Sequence, residues 1–170
     1  KQGRVLDVGC GFGRVLEILS PKVEETIGID NDKEAVEKSK ELNLGKENVK
    51  ILFADAENLK FEDRRFDVVT CLGGTPSNFG KTRDKIYSEI NRVLKNGGLF
   101  FCSVYNEDAL EERLSYYEEY CPGKYSVNKK TGYVEVFGKF VSEQFSKEQI
   151  TKIFEENGFQ VLEVIKSGVF

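Results

Sequence analysis

The segment RVLDVGCGFGR, residues 4–14, limits the possible fold more than any other part of this 170-residue chain. Its short apolar run leads into glycines at three alternate positions, Gly9, Gly11 and Gly13. A loop of this kind, placed between a buried strand and a helix, lets the backbone approach a ligand closely, which is why it recurs in nucleotide-binding sites. The segment therefore predicts the first strand, the ligand-binding loop and the first helix of an α/β fold.

Two residues of this segment indicate which nucleotide ligand suits the loop. The dinucleotide fingerprint Gly-x-Gly-x-x-Gly needs a third glycine where Arg14 stands. The carboxylate of Asp7 would repel a pyrophosphate and attract a cationic ligand. The segment thus favours a nucleoside that carries positive charge over a nicotinamide dinucleotide. The alternative is that Asp7 is a structural buried acid bonded to loop amides.

Strand-like and helix-like patterns alternate along the chain. We predict strands at residues 4–8, 26–30, 49–54, 66–71 and 99–104, with helices after the first, second and fourth of them. The pair Asn96-Gly97 is expected to end the last of these helices. This alternation predicts an α/β fold with a doubly wound, mostly parallel sheet and helices on both faces.

Capping boxes mark the starts of two predicted helices. Asn31 stands three residues before Glu34, and Ser146 stands three residues before Gln149. The helix that starts after Ser146 should lead into a sixth strand at residues 159–165, and another strand could begin at residues 169–170.

The stretch 106–145 differs from the alternating pattern and is interpreted as an inserted substrate cap after the fifth strand. It combines a helix candidate with Leu110, Leu114 and Tyr117 on one face with alternating strand-like runs at residues 133–137 and 139–145. We therefore expect a single domain over residues 1–170 that contains an inserted helix and an antiparallel cap.

Composition restricts the class of protein. With 39% apolar residues in 170, the chain can bury one sizeable core. Its net charge of −4 comes from interspersed acidic and basic residues, so nucleic acid is a disfavoured partner. The apolar runs are far shorter than the roughly 20 residues of a membrane span, and no signal peptide is visible. We expect a soluble, cytoplasmic protein without a membrane partner.

Histidine is absent from the chain, which excludes a histidine base, a Ser-His-Asp triad and histidine metal ligands within it. The four cysteines, Cys10, Cys71, Cys102 and Cys121, are widely spaced and form no C-x-x-C pair. This spacing supports neither a zinc site nor a disulfide framework, so no metal is expected.

The motif VLDVGCGFGR resembles the glycine motif of class I S-adenosylmethionine-dependent methyltransferases. The resemblance continues through GIDND, FADAENL, FDVVTCLGG, EINRVLKNGGLFF and FSKEQITKIFEENGFQVLEV, and so covers nearly all of the chain except the cap. It implies a Rossmann-like fold, S-adenosyl-L-methionine as cofactor and methyl transfer as the activity. A site for that cofactor should place carboxylates at its two ends and, between them, backbone amides that are not hydrogen-bonded within the protein.

The resemblance implies contacts for particular residues. Asp7 would bind the amino-acid end of the cofactor and Asp30, about 20 residues beyond the first glycine, its ribose hydroxyls. The full set of candidate cofactor residues is Asp7, Gly9, Cys10, Gly11, Gly13, Asp30, Asn31, Asp55, Ala56, Cys71 and Leu72. Simpler roles compete with these assignments: Asp30 could cap a helix, Asp55 could start a turn, and the cysteines could be small core residues.

Acceptor contacts are expected after the fourth and fifth strands. The loop CLGGTPSNFG lacks the Asn/Asp-Pro-Pro-Tyr sequence of amino methyltransferases and faintly resembles that of glycine N-methyltransferase relatives. Candidate substrate residues are Thr75, Ser77, Asn78 and Tyr105. Tyr105 is also the preferred candidate for a catalytic base, with Glu107 and Asp108 behind it; alternatively it only packs against the cap.

The combined pattern predicts transfer of a methyl group, by in-line displacement, to N or O of a small molecule. Three alternatives from other classes remain. They are a protein or RNA methyltransferase, a NAD-dependent oxidoreductase, and a noncatalytic nucleoside-binding module.

Overall fold

Five strands form the central sheet: β1 (Arg4–Val8), β2 (Glu25–Asp30), β3 (Val49–Phe53), β4 (Phe66–Cys71) and β5 (Leu94–Cys102). They come from a computed structural model that describes residues 3–167. All neighbours pair in parallel, in the order β3-β2-β1-β4-β5. The chain therefore changes direction across the sheet between β1 and β4, and the carboxyl ends of these strands flank the point where open α/β sheets bind ligands.

Helices cover both faces of the sheet, as the alternating pattern predicted. They are α1 (Arg14–Leu19), α2 (Lys33–Leu42) and α3 (Arg83–Val93), followed late in the chain by α5 (Lys147–Glu156). One cluster of buried side chains contains Leu16 of α1 and Val36 of α2. A larger one contains Tyr87 of α3 and Phe154 of α5, whose ring centroids lie 5.0 Å apart. Burial of these two apolar clusters is the main source of stability for the layered structure.

Between β5 and α5 the chain forms the inserted cap. The cap consists of helix α4 (Leu110–Tyr120) and an antiparallel sheet of β6 (Tyr125–Val127), β7 (Val134–Val136) and β8 (Phe140–Ser142). The sequence pattern predicted the helix and the last two strands but not β6. A bridge between Asn106 and Phe145 joins the two ends of the cap beside the main sheet. None of the helices in residues 3–167 is long and apolar enough to cross a bilayer.

The start of α2 differs from the predicted capping box. Ser146 and Gln149 do form the reciprocal box predicted for α5. For α2, however, the capping residue is Asp32, whose Oδ1 accepts from Glu34 N at 3.0 Å and from Ala35 N at 3.4 Å. The prediction that Asn31 caps α2 was wrong. Asn31 belongs to the turn that follows β2, and the helix begins one residue later than predicted.

The boundaries of β5 also differ from the prediction. Leu94 already pairs with Phe66, and the register then shifts so that Leu99 pairs with Val68. The predicted helix stop at Asn96-Gly97 is thus a bulge within β5, and α3 ends at Val93. A local sequence pattern cannot reveal this, because the strand start depends on a partner far away in the chain.

The predicted sixth strand is absent from the described part of the chain. Phe159, Val161 and Val164 nevertheless pack against the larger apolar cluster. Leu162 and Ile165 are exposed, and residues 159–165 have no strand assignment. An apolar pattern predicts burial, whereas a strand also needs a hydrogen-bonded neighbour. The possible strand start at 169–170 lies outside the described residues.

Gly28 in β2 lets α1 approach the sheet closely. A Cβ atom on Gly28 would lie 2.6 Å from Leu16 Cδ1 and 2.9 Å from Cys10 Sγ. In dinucleotide-binding folds the third glycine of the loop permits this close helix–strand packing. Here the small residue stands on the neighbouring strand, which explains why Arg14 can occupy the loop position.

We expect Gly28→Ala to lower the free energy of unfolding by about 1–3 kcal/mol, because the added methyl group overpacks the contact with Leu16. Urea denaturation measures the change. Leu16→Ala removes the opposing atoms and costs about 2–5 kcal/mol by itself. The double variant should lose less than the sum of the single losses. If the double variant loses as much unfolding free energy as the two single variants together, the side chains at positions 16 and 28 do not compete for the same space.

Candidate functional site

The candidate site lies at the carboxyl ends of β1 and β4, where the glycine loop begins. Its backbone amides are engaged within the protein. Gly9 N and Cys10 N both donate to Ile29 O at 2.9 Å, and Gly11 N donates to Asp30 Oδ2 at 2.9 Å. The expectation of bare amides is therefore wrong for the first three residues of the loop. These bonds instead fix the loop against the end of β2.

The three loop glycines have different surroundings. A Cβ on Gly9 would collide with the side chain of Thr75, and one on Gly13 would collide with Ser39. Both positions therefore serve close packing. A Cβ on Gly11, where φ is +51°, would meet nothing in residues 3–167 within 4 Å. Gly11 is thus the loop position at which a ligand can lie directly on the backbone.

Asp7 is a buried acid with one unused oxygen. Its side chain is 2% exposed, and Oδ1 accepts from Thr70 Oγ1 at 2.6 Å. Oδ2 is buried and has no hydrogen-bond partner among the described residues. The suggested bonds from loop amides are therefore not formed. An unpartnered buried carboxylate oxygen is costly, and a cationic donor beside it would remove that cost.

Burial raises the pKa of Asp7 to about 7. The negative charge of Asp30 raises it further, while the hydrogen bond from Thr70 and the charge of Arg14 lower it. Asp7 therefore titrates near neutral pH, and a cation bound beside it would favour its ionised form.

Asp30 connects the glycine loop to the start of α2. Oδ2 accepts from Gly11 N and Oδ1 accepts from Asp32 N, both at 2.9 Å. It does not cap α2, since Asp32 fills that position. Each carboxylate oxygen has a second lone pair, so Asp30 can still accept hydrogen bonds from a diol.

Three further predicted cofactor residues, Asn31, Asp55 and Ala56, follow the ends of β2 and β3. Asn31 and Asp55 are exposed. Oδ1 of Asp55 accepts from Glu57 N at 2.9 Å, which is the turn-forming role suggested as its alternative. Ala56 is partly buried against the larger apolar cluster.

The cysteines of the site behave as small core residues. Cys10 is 7% exposed, and burial raises the pKa of its thiol to about 12. Cys71 is fully buried, and burial raises the pKa of its thiol well above the usual value. Both thiols are neutral and unreactive at physiological pH. Cys71 and Leu72 can face a ligand mainly through the backbone, and Cys71 O already accepts from Ser103 N at 3.1 Å.

The four predicted substrate residues lie near one another but face different surroundings. Thr75 Oγ1 donates to Leu72 O at 2.9 Å, and Asn78 is exposed. Ser77 is fully buried, and its Oγ accepts from Tyr105 N at 2.9 Å. This side chain therefore has no exposed surface that could contact the methyl acceptor, and its predicted substrate contact is wrong. Ser77 thus fixes the loop after β4, residues 72–82 (the β4 loop), against Tyr105, which lies three residues after the end of β5.

Tyr105 lies on Gly74, where a Cβ would come within 2.5 Å of the ring. Burial raises the pKa of Tyr105 above its ordinary value of 10, the neighbouring Tyr117 raises it further, and the positive charge of Arg113 lowers it. The phenol is therefore protonated at neutral pH and suited to donate a hydrogen bond. This chemistry argues against the base role predicted for Tyr105.

Arg113, which lies beneath Tyr105, is not among the predicted site residues. Arg113 is 2% exposed, and its guanidinium carbon is 3.4 Å from the Tyr105 ring centroid. Nε donates to the Tyr117 hydroxyl at 3.0 Å, and a second nitrogen donates to Ser142 Oγ. One signal was available, because Arg113 interrupts the apolar face of α4 formed by Leu110 and Tyr117.

A groove of about 2000 Å³ extends from the β4 loop along the open edge of β5. Leu72, Gly73, Gly74, Tyr105 and Arg113 line the end of the groove nearest the candidate site. Within residues 3–167, no three acidic or cysteine side chains are grouped closely enough to hold a metal ion.

Comparison with known proteins identifies similar chains. Residues 1–158 match a family model described as a methyltransferase domain. A demethylmenaquinone methyltransferase of Staphylococcus aureus (strain JH9) is 34% identical over 172 residues, covering 94% of this chain and 68% of the relative. An uncharacterised methyltransferase, YcgJ of Bacillus subtilis (strain 168), is 41% identical over 99 residues, covering 57% of this chain and 38% of the relative.

Two solved structures have a similar fold. The PH0226 protein of Pyrococcus horikoshii OT3 superposes with a TM-score of 0.75 at 25% identity, covering 92% of this chain and 73% of that structure. The YcgJ structure gives a TM-score of 0.69 at 29% identity, covering 92% of this chain and 61% of that structure. The chain thus spans only part of the length of these relatives.

Proposed function

This chain belongs to the class I S-adenosylmethionine-dependent methyltransferase family, and from that premise we propose that it transfers a methyl group to N or O of a small molecule. S-adenosyl-L-methionine is the cofactor of this family. The observation that carries the proposal most directly is that Oδ2 of Asp7 is buried with no partner among the described residues, at the end of the strand that leads into the open backbone at Gly11. An ammonium group is the kind of ligand group that this oxygen lacks.

The residues present fit the cofactor at both of its ends. Asp7 would accept from the ammonium group, directly or through a water molecule, and Asp30 would accept from the ribose hydroxyls. Between them, the open face of Gly11 leaves room for the ligand against the loop. The backbone at Leu72 would border the methionyl side and Asp55 with Ala56 the adenine.

When bound, S-adenosylmethionine supplies an electrophilic methyl group on a sulfonium. The protein then has to hold the acceptor in line with that group, around 3 Å from it, and to exclude water. Tyr105 and the β4 loop, which meet at Gly74, border the groove where an acceptor can lie. Because the chain contains no histidine and Tyr105 is protonated, neither supplies a base, and an acceptor atom that binds with a free lone pair needs none.

Two observations support a small-molecule acceptor over a protein or RNA. The cap occupies the space beside the β4 loop, with Glu143 N donating to Ser77 O at 2.8 Å. A relative that is 34% identical over 172 residues bears the name demethylmenaquinone methyltransferase. A covering segment of this kind suits an enclosed acceptor better than a broad macromolecular surface.

Transfer of labelled methyl from S-adenosylmethionine tests the proposal. We expect product with members of a library of small amines, phenols and acids. No label should enter macromolecules of a cell lysate. Label found only in protein or RNA would favour the macromolecular alternative. Binding of the methyl donor without any turnover across both sets would favour a noncatalytic nucleoside-binding module, and preferential binding of NAD would favour an oxidoreductase.

We expect Tyr105→Phe to lower kcat less than about tenfold and to leave the pH profile of kcat unchanged, because the phenol acts as a donor rather than a base. Steady-state kinetics between pH 6 and pH 9 provide the measurement. Tyr120→Phe, at a 64% exposed position of the cap, is the matched control. If kcat of Tyr105→Phe, but not of Tyr120→Phe, loses a pH dependence that the wild type shows, Tyr105 acts as a base after all.

A further inference from the structure

Arg113 is a buried cation that has no ionic partner in the described part of the chain. Its guanidinium is stabilised by the face of the Tyr105 ring and by hydrogen bonds to the hydroxyls of Tyr117 and Ser142. Its NH1 atom is buried and has no hydrogen-bond partner among the described residues. No ion pair within residues 3–167 includes Arg113. A charge held in this way carries a desolvation cost that neutral neighbours offset only in part.

Acidic residues on the adjoining segments are engaged elsewhere. Glu143, which follows Ser142, pairs with Arg83 at 3.1 Å. Asp108, just before α4, pairs with Lys166 at 2.6 Å. The positive charge of Arg113 is therefore not neutralised by these neighbours. The adjoining Gln144 has a further buried donor, Nε2, that lacks a partner in the described part of the chain.

We propose that Arg113 binds a carboxylate of the methyl acceptor, so that the acceptor is a small organic acid rather than a neutral or cationic molecule. This inference rests on the proposed methyltransferase function. Arg113 lines the same groove as Leu72, Gly73 and Gly74, which follow β4 at the point where the methyl donor would lie. The acid group would thus lie on the cap side, and the accepting atom would point towards the β4 loop.

The guanidinium presents the donors that a carboxylate needs. Two of its nitrogens already donate to hydroxyl groups, and NH1 retains N–H bonds without an acceptor. Charge-assisted hydrogen bonds to a planar oxyanion are the strongest that arginine forms. The Tyr105 ring covers the guanidinium and itself lies on Gly74. NH1 is buried, so an anion in the groove that Tyr105 and Arg113 both line would reach it only after a covering group such as the Tyr105 ring moves.

Calorimetric titration of the wild-type chain tests the inference without any substitution. The protein is saturated with S-adenosylhomocysteine and titrated with acetate and benzoate, and separately with their neutral isosteres acetamide and benzamide. We expect at least one acid to bind about tenfold or more tightly than its amide, the range expected for charge-assisted hydrogen bonds to a buried cation. Equal affinities for both acid–amide pairs would overturn the inference even if S-adenosylhomocysteine binds normally.

Two variants assign the effect to Arg113. Arg113→Gln should reduce the acid–amide difference to less than about threefold, and Arg113→Lys should retain part of it because the charge remains. Arg83→Gln is the matched control, since Arg83 already has Glu143 as its carboxylate partner. It should leave the difference unchanged. Retention of the full difference in Arg113→Gln would contradict the assignment.

The cofactor-binding measurements separate this inference from the proposed function. If S-adenosylhomocysteine fails to bind the wild-type chain, the proposed function is wrong. The acids and amides are then titrated against the protein alone, and an acid that binds about tenfold more tightly than its amide still supports the inference. If Arg113→Gln weakens S-adenosylhomocysteine binding and leaves benzoate binding unchanged, Arg113 holds the carboxylate of the cofactor and the acceptor assignment is wrong.

Discussion

Asp30→Ala is expected to weaken S-adenosylmethionine binding about 100-fold. Two charge-assisted hydrogen bonds to the ribose hydroxyls would be lost, and a loss of about 3 kcal/mol corresponds to roughly this factor. The substitution also removes the acceptor for Gly11 N and Asp32 N, so the loop loses its tie to α2. Isothermal titration calorimetry measures the affinity, and urea denaturation in parallel separates a local effect from a general loss of structure.

Asp67→Ala is the matched control for this prediction. Asp67 likewise accepts a backbone amide across strands, from Arg4 N at 2.8 Å, but it stands at the opposite, amino-terminal edge of the sheet. We expect this variant to lose stability while binding the cofactor within about twofold of the wild type. An Asp30→Ala variant that binds with unchanged affinity would eliminate the ribose role of Asp30.

Asp7→Asn is expected to weaken cofactor binding about 30-fold at pH 8 and to remove its dependence on pH. The pKa of Asp7 is raised to about 7 by burial and by the charge of Asp30. In the wild type, the acid must therefore lose its proton before it can pair with an ammonium group. Affinity should rise about tenfold per pH unit as the pH increases towards 7 and level off above it. The asparagine variant should bind with nearly constant affinity between pH 5.5 and pH 8.

Calorimetry in buffers of different ionisation enthalpy provides a second measurement for Asp7. Binding to the wild type at pH 6 should release close to one proton, because the bound cation lowers the pKa of the buried acid. Binding to Asp7→Asn should release none. Proton release that persists in Asp7→Asn would show that another group is responsible.

The same shift predicts how stability without ligand depends on pH. The pKa of Asp7 is higher in the folded state, about 7, than the ordinary value of 3.8. Its stabilising contribution is therefore complete below about pH 4 and is lost as the pH rises through 7. Glu25 and Asp67, whose pKa values are lowered by nearby cations, act in the opposite direction. The difference in unfolding free energy between wild type and Asp7→Asn isolates the effect of Asp7.

Much of the fold follows from local patterns in the sequence. The alternation of short apolar runs with helical periods predicted β1 and β4 at their observed boundaries and the other sheet strands approximately. These patterns work because a residue is buried or exposed according to the local period of its element. The glycine loop and Asp30 were located by the same argument, since a strand followed by a tight turn places both at one edge of the sheet.

The details of the site depend on contacts that are distant in sequence. Asp7 meets Thr70 across 63 positions, and Arg113 meets Ser142 across 29. The pKa of Asp7, the engaged amides of the loop and the buried charge of Arg113 follow from these contacts. A boundary such as the start of β5 likewise depends on its partner strand.

The sequence by itself determined the order of the strands and helices of the central sheet up to β5, the glycine loop and the family to which the chain belongs. Only the tertiary structure decided which carboxylate oxygen lacks a partner, which glycine faces open space and which arginine is buried. The physical reason is that local periodicity encodes burial, whereas hydrogen bonding and desolvation of a given atom depend on segments that only folding brings together.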